Sequence, residues 1–190
     1  TDEGLTSVTT GFEDMDRILS GGLQDSDLVV LAARPSLGKS TLAFNIAREA
    51  SVSGKIVGIF SLEMSKAQIG MRMLANESGI NATKIRTGLI TESEEQSILN
   101  SIGLLSGLDI YIDDSPMLEV FQILAKARRL QQERGLDLIV IDYMQLLNIS
   151  GRSDNRVQVM SEISRALKGL ARDLDVPVLA LSQLSRAVEQ

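Results

Sequence analysis

"LVVLAARPSLGKST", running from Leu28 to Thr41, decides how this chain is read. An apolar run enters Arg34-Pro35 and then Gly38-Lys39-Ser40-Thr41, which nearly spells the loop pattern GxxxxGK(S/T). In such loops successive backbone N–H groups point at phosphate, the lysine reaches the β- and γ-phosphates, and the following hydroxyl binds Mg²⁺. The first glycine of the pattern is replaced by Ala33, at the end of the apolar run, where a methyl is tolerated if φ stays negative. The glycine before the lysine, where backbone must approach the ligand, is present. The expected phosphate-binding residues are therefore Arg34, Pro35, Ser36, Leu37, Gly38, Lys39, Ser40 and Thr41, with Ser40 on the metal. A helix starting near Gly38 adds its positive end.

Four more apolar runs follow, Ile56–Ser61, Ile110–Asp113, Leu138–Asp142 and Val178–Ser182, nearly continuous as in strands buried on both faces. Between them lie helical patterns. Thr10-x-x-Glu13, Ser65-x-x-Gln68 and Thr91-x-x-Glu94 read as capping boxes. A helix with Phe121, Leu124 and Leu130 ends at Gly135, and the longest, from Val157 through Leu174, ends before Pro177. Alternating strand and helix predict an α/β fold with a mostly parallel sheet, helices on both faces, and ligands at the carboxyl ends of the strands. The glycine-rich stretch 80–108 reads as an addition beside that core.

Those carboxyl ends carry chemistry. Asp142 closes "LIVID", where phosphate-loop proteins hold Mg²⁺ through an aspartate. Glu63 follows the second strand, placed to take a proton from an attacking water. Gln183 ends the last strand, and a neutral amide there can hydrogen-bond a γ-phosphate. Asp113 and Asp114 end a further strand, but Asp-Asp-Ser-Pro reads as an ordinary turn and helix start.

Composition narrows the chemistry. With 190 residues, 44% apolar content and a formal charge of −6, the chain reads as one globular unit and not as a globally basic nucleic-acid binder. It has no histidine and no cysteine, so catalysis falls to carboxylates, Lys, Arg, Ser/Thr or Gln, and a metal should be a hard ion held by oxygen. No apolar run approaches a membrane span, so a cytoplasmic protein is expected. The absent initiator methionine and the polar "LSQLSRAVEQ" end are expected of a piece of a longer chain. The segment "NISGRSDNR" offers Arg152 and Arg156 as candidate contacts to a nucleic-acid backbone.

Together "TTGFEDMDRILSGGL", "AARPSLGKST", "SLEMSKAQIGMRML", "LIVIDYMQLL" and "SEISRALKGLARDLDVPVLALSQLSR" resemble the C-terminal motor domain of bacterial replicative DNA helicases of the DnaB family, a RecA-like ATPase core. The resemblance covers nearly the whole chain, and Ala-Arg-Pro is common in the family at Ala33. It implies ATP and Mg²⁺ at the interfaces of a six-subunit ring that translocates on single-stranded DNA, with primase and a helicase loader as partners. By position, Lys39 and Ser40 bind phosphate and metal, Glu63 activates water, Asp142 assists the metal and Gln183 senses the γ-phosphate. Arg72 falls in the motif after "SLEM", with an interface or structural role expected. The resemblance also places an arginine finger and a main DNA-gripping loop beyond residue 190, so these residues alone are expected to bind ATP and hydrolyse it poorly. The alternatives are a RadA-like recombination factor and a KaiC-like assembly switch.

Overall fold

The computed structural model describes residues 7–147 and 156–184. Its centre is a five-stranded sheet of β1 (Leu28–Ala33), β2 (Val57–Ser61), β3 (Ile110–Asp113), β4 (Leu138–Asp142) and β5 (Val178–Gln183). The strand order is β1-β5-β4-β2-β3 and every pairing is parallel. The strand bounds agree with the sequence reading to within one residue at each end.

Helices cover both faces. On one lie α2 (Lys39–Val52) and α3 (Lys66–Ser78), whose Ala43, Ile46, Ala47 and Ile69 meet Leu138, Val140, Leu179 and Leu181. On the other, α6 (Val120–Glu133) and α7 (Arg156–Leu174) bring Ile123, Ala127, Ile163 and Leu167 against Ile139, Ile141, Val178 and Ala180. Successive residues of β4 and β5 thus serve opposite cores, which is why both read as continuous apolar runs rather than alternating ones. β1 departs from that expectation: its residues are partly buried or exposed, and Val30 is 46% exposed, because β1 is an edge strand among the described residues.

Helix starts follow local chemistry. Ser65 and Thr91 form the expected capping boxes of α3 and of α5 (Glu92–Ser106). Thr10 does not cap a helix. α1 (Glu13–Ile18) starts after Phe12, and the Thr10 hydroxyl and N–H both donate to Asp16, at 2.5 and 2.8 Å. The tight turn at Gly11 and the second carboxylate further on override the box pattern. The stretch 80–108 folds as α4 (Ala82–Thr87) and α5, packed mainly on α3 outside the sheet. A single 3-10 turn, η1 (Met144–Leu146), follows β4, and its Met144 and the succeeding Leu147 are buried in the α6–α7 core.

Candidate functional site

The carboxyl ends of four adjacent strands, β1, β5, β4 and β2, meet at one place. The loop from β1 to α2 turns through left-handed backbone at Ser36 (φ 65°) and Gly38 (φ 82°), and Ala33 is not among the positive-φ residues. The conformational demand therefore falls at positions 36 and 38, so an alanine at 33 costs nothing. Gly38 sits at the head of α2, whose Lys39, Ser40 and Thr41 N–H groups have no intrahelical acceptor; the first helical bond is from Leu42 N–H to the Gly38 carbonyl, at 2.9 Å. Three donors and the positive helix end thus point at one spot, as anion recognition requires.

Around that spot is a cavity of about 270 Å³. Arg34, Pro35, Ser36, Gly38, Lys39, Ser40 and Thr41 form one side, with Glu63, Arg72 and Gln183 on the others. Leu37 is absent from the wall and its side chain is 70% exposed. A protein of charge −6 therefore presents three cations against one carboxylate at this wall, a local field suited to polyphosphate. A larger neighbouring cavity, about 580 Å³, shares Thr41 and Arg72 and runs between α2 and α3. Its Arg48 is already paired with Glu77 at 2.9 Å, so the free helix-end donors serve the smaller cavity.

Asp142 lies beneath the wall. It is 0% exposed, and neither carboxylate oxygen has a hydrogen-bond partner within the protein. Burial pushes its pKa above the usual carboxylate value and the charge of Glu63 adds to that, while the Ser40 hydroxyl, Lys39 and Arg72 pull the other way. Two orphaned oxygens beside a serine hydroxyl form a hard-donor pair that fits Mg²⁺. Among the described residues no group of three or more acidic side chains could hold a metal, so phosphate oxygens would have to complete the coordination.

Sequence reasoning missed Tyr143 and Gln145. The Lys39 ammonium lies 5.0 Å from the centroid of the Tyr143 ring, a cation–π contact that seats the lysine under the cavity. Burial raises the Tyr143 pKa, with Glu63 and Asp142 adding to the shift. The Gln145 amide reaches across to the end of β5. Both were hidden within "DYMQLL", where only Asp142 carried a recognisable pattern. Arg72 lines this cavity and the larger one beside it.

The other candidates lie elsewhere. Asp113 pairs with Lys126 at 2.5 Å and accepts the Ser115 N–H, and Asp114 accepts the Lys66 N–H, so both serve turns as expected. Arg152 falls outside the described residues, and Arg156 opens α7 with its side chain outside them.

Residues 7–190 match the family model described as the DnaB-like helicase C terminal domain. The replicative DNA helicase DnaB of Geobacillus stearothermophilus is 54% identical over 191 residues, covering 100% of this chain and 42% of the relative. The replicative DNA helicase DnaC of Bacillus subtilis (strain 168) is 53% identical over 188 residues, covering 98% of this chain and 41% of that protein. A solved structure of a DnaB-like replicative helicase, described with its interactions with primase, superposes with a TM-score of 0.91 at 37% identity, over 100% of this chain and 46% of that one. The chain thus spans less than half the length of these relatives.

Proposed function

The chain belongs to the DnaB-like helicase C-terminal domain family and has its RecA-like α/β fold; from that premise we propose that residues 1–190 are the ATP-driven motor of a replicative DNA helicase. The observation that carries this reading is the convergence of Lys39, Ser40, Glu63 and Gln183 on one cavity above the buried Asp142. Lys39 and the N–H groups opening α2 hold the β- and γ-phosphates of ATP. Glu63, exposed at the wall, takes a proton from the water that attacks the γ-phosphorus, and ADP departs with its phosphates still held by the loop. The Gln183 amide hydrogen-bonds a γ-phosphate oxygen and loses that partner when the phosphate leaves. Ser40 and Asp142 would hold Mg²⁺, which when bound withdraws charge from the phosphate oxygens. Arg72 adds a positive charge on the same wall.

Arg34, Pro35, Ser36, Gly38 and Glu63 on the cavity wall are exposed, which suits a site completed by a neighbouring subunit. A six-membered ring supplying the missing cation in trans, translocating on single-stranded DNA through contacts such as Arg152 and Arg156, accords with the family. Primase and a loader as partners, and a cytoplasmic location, belong to the same reading. Among the described residues no helix is long and apolar enough to cross a membrane. The relatives matched bear the names of replicative helicases, which favours the motor over a recombination factor or an assembly switch.

The test is ATP turnover by the full-length protein with and without single-stranded DNA, beside Glu63→Gln. Turnover should rise with DNA and fall by about 10²-fold or more in the variant, the usual worth of a general base. Turnover indifferent to DNA, or surviving the substitution, would overturn the motor assignment.

A further inference from the structure

β4 stops two residues short of the end of β5. Their ladder ends at Ile141 opposite Ala180, and β4 itself ends at Asp142, while β5 continues beside β1 to Gln183, paired with Ala33. In β5 the even residues turn their peptide groups toward β1, as the Val178 N–H to Asp27 carbonyl and Leu184 N–H to Ala33 carbonyl bonds show. The odd residues turn theirs toward β4, as the Pro177 carbonyl does in accepting the Ile139 N–H. Gln183 therefore aims its N–H and carbonyl at a position where β4 has no strand residue left. Unpaired, those groups would leave the strand end free to shift.

The Gln145 side chain fills that position. Its Oε1 accepts the Gln183 N–H at 3.2 Å, and its Nε2 donates to the Gln183 carbonyl at 3.0 Å and to the Ser182 hydroxyl at 2.8 Å. A planar group carrying an acceptor and a donor side by side is a peptide in miniature, so the contact continues the ladder with a side chain in place of backbone. Gln145 is itself fixed, because Met144 before it is 2% exposed and Leu147 after it 5% exposed, both anchored in the α6–α7 core. Glutamate would keep the acceptor and lose both donors, and an apolar residue would lose all three bonds.

We propose that Gln145 is a positioning residue whose carboxamide, standing in for the strand residue that β4 lacks, fixes Gln183 at the wall of the phosphate cavity. It touches no phosphate. It sets the backbone from which the Gln183 side chain reaches the cavity, and it joins that backbone to the turn that follows Asp142. The inference rests on the reading of Gln183 as the group that meets the γ-phosphate.

The experiment measures affinity of the full-length protein for ADP and for an ATP analogue with an imido bridge between the β- and γ-phosphates, in Gln145→Met, Gln183→Ala and the double variant. Hydrogen exchange at the Gln183 amide is followed in parallel without nucleotide. Gln145→Met should lower the preference for the triphosphate by about five-fold, the usual worth of one neutral hydrogen bond, with ADP binding essentially unchanged. The double variant should lose no more than Gln183→Ala alone, and the Gln183 amide should exchange faster. If Gln183→Ala lowers the preference and Gln145→Met does not, the positioning role is overturned, as it is if both nucleotides weaken together. If Gln183→Ala leaves the preference intact, the γ-phosphate reading fails by itself, and the exchange rate alone decides whether Gln145 holds the strand end. Should Gln145→Met fail to fold, Gln145→Glu keeps the size and the acceptor and is judged by the same ratio and the same amide.

Discussion

Replacing Asp142 with asparagine should make the ligand-free protein more stable and the ligand-bound protein less so. The carboxylate is fully buried, and neither oxygen is hydrogen-bonded within the protein. An unsatisfied buried polar group costs about 1–3 kcal/mol, and a charged one more. The Ser40 hydroxyl beside it, Lys39 and Arg72 return part of that cost, and Glu63 adds to it. Asparagine keeps the shape, and its two polar atoms remain poorly satisfied, so what it removes is the charge. A net gain of about 2 kcal/mol is expected from that alone. For a chain of this size about 2 kcal/mol corresponds to a rise of roughly 4–8 °C in melting temperature. Scanning calorimetry at neutral pH in EDTA, without nucleotide, reads the difference. With Mg²⁺ and an ATP analogue at 100 times its dissociation constant, the wild type alone should gain about 2.7 kcal/mol, and the order should reverse. An unchanged or lower melting temperature for Asp142→Asn in EDTA would refute the view that this carboxylate is stored unsatisfied for a ligand.

Two further outcomes test the frame around the site. Gly22 has φ 125°, and a Cβ there would lie 2.5 Å from the Val8 carbonyl oxygen, so Gly22→Ala should lose more than about 2 kcal/mol in urea unfolding; a neutral result would mean that the Val8–Leu23 bridge shifts freely. Burial works to raise the Asp16 pKa, but the Thr10 and Thr9 hydroxyls and the Thr10 N–H outweigh it and hold the carboxyl below the usual aspartate value. A lowered acid contributes fully above its unfolded value and loses that contribution as pH falls through the folded one. The stability advantage of wild type over Asp16→Asn should therefore be constant near neutrality and shrink below about pH 4; an advantage that persists unchanged in acid would sink this account.

The sheet was legible because its strands are buried on both faces and so spell uninterrupted apolar words, "LIVID" above all. Their order was not legible. That β5 inserts between β1 and β4 follows from long-range packing of Leu179 and Leu181 on one face and Ala180 on the other, which no local pattern encodes. The loop, Glu63 and Gln183 were singled out because each sits at or just past a strand end, and the structure brings them to one cavity wall. Asp142 was singled out the same way but lies under the wall, not on it. The Thr10 pattern misled because Asp16 competes for the same hydroxyl, at 2.5 Å.

What escaped the sequence is what the insertion of β5 creates. With β5 between the phosphate-loop strand and the Asp142 strand, its end touches both, through the ladder to β1 and the Gln145 amide after β4. On the proposed reading of Gln183, a residue there would register whether the loop holds two phosphates or three and pass the difference to both neighbours. A glutamine three residues past a strand end carries no such meaning in isolation. It gains one only because β4 ends at Asp142 while β5 runs on to Gln183, so that a side chain takes over the hydrogen bonds the backbone no longer makes.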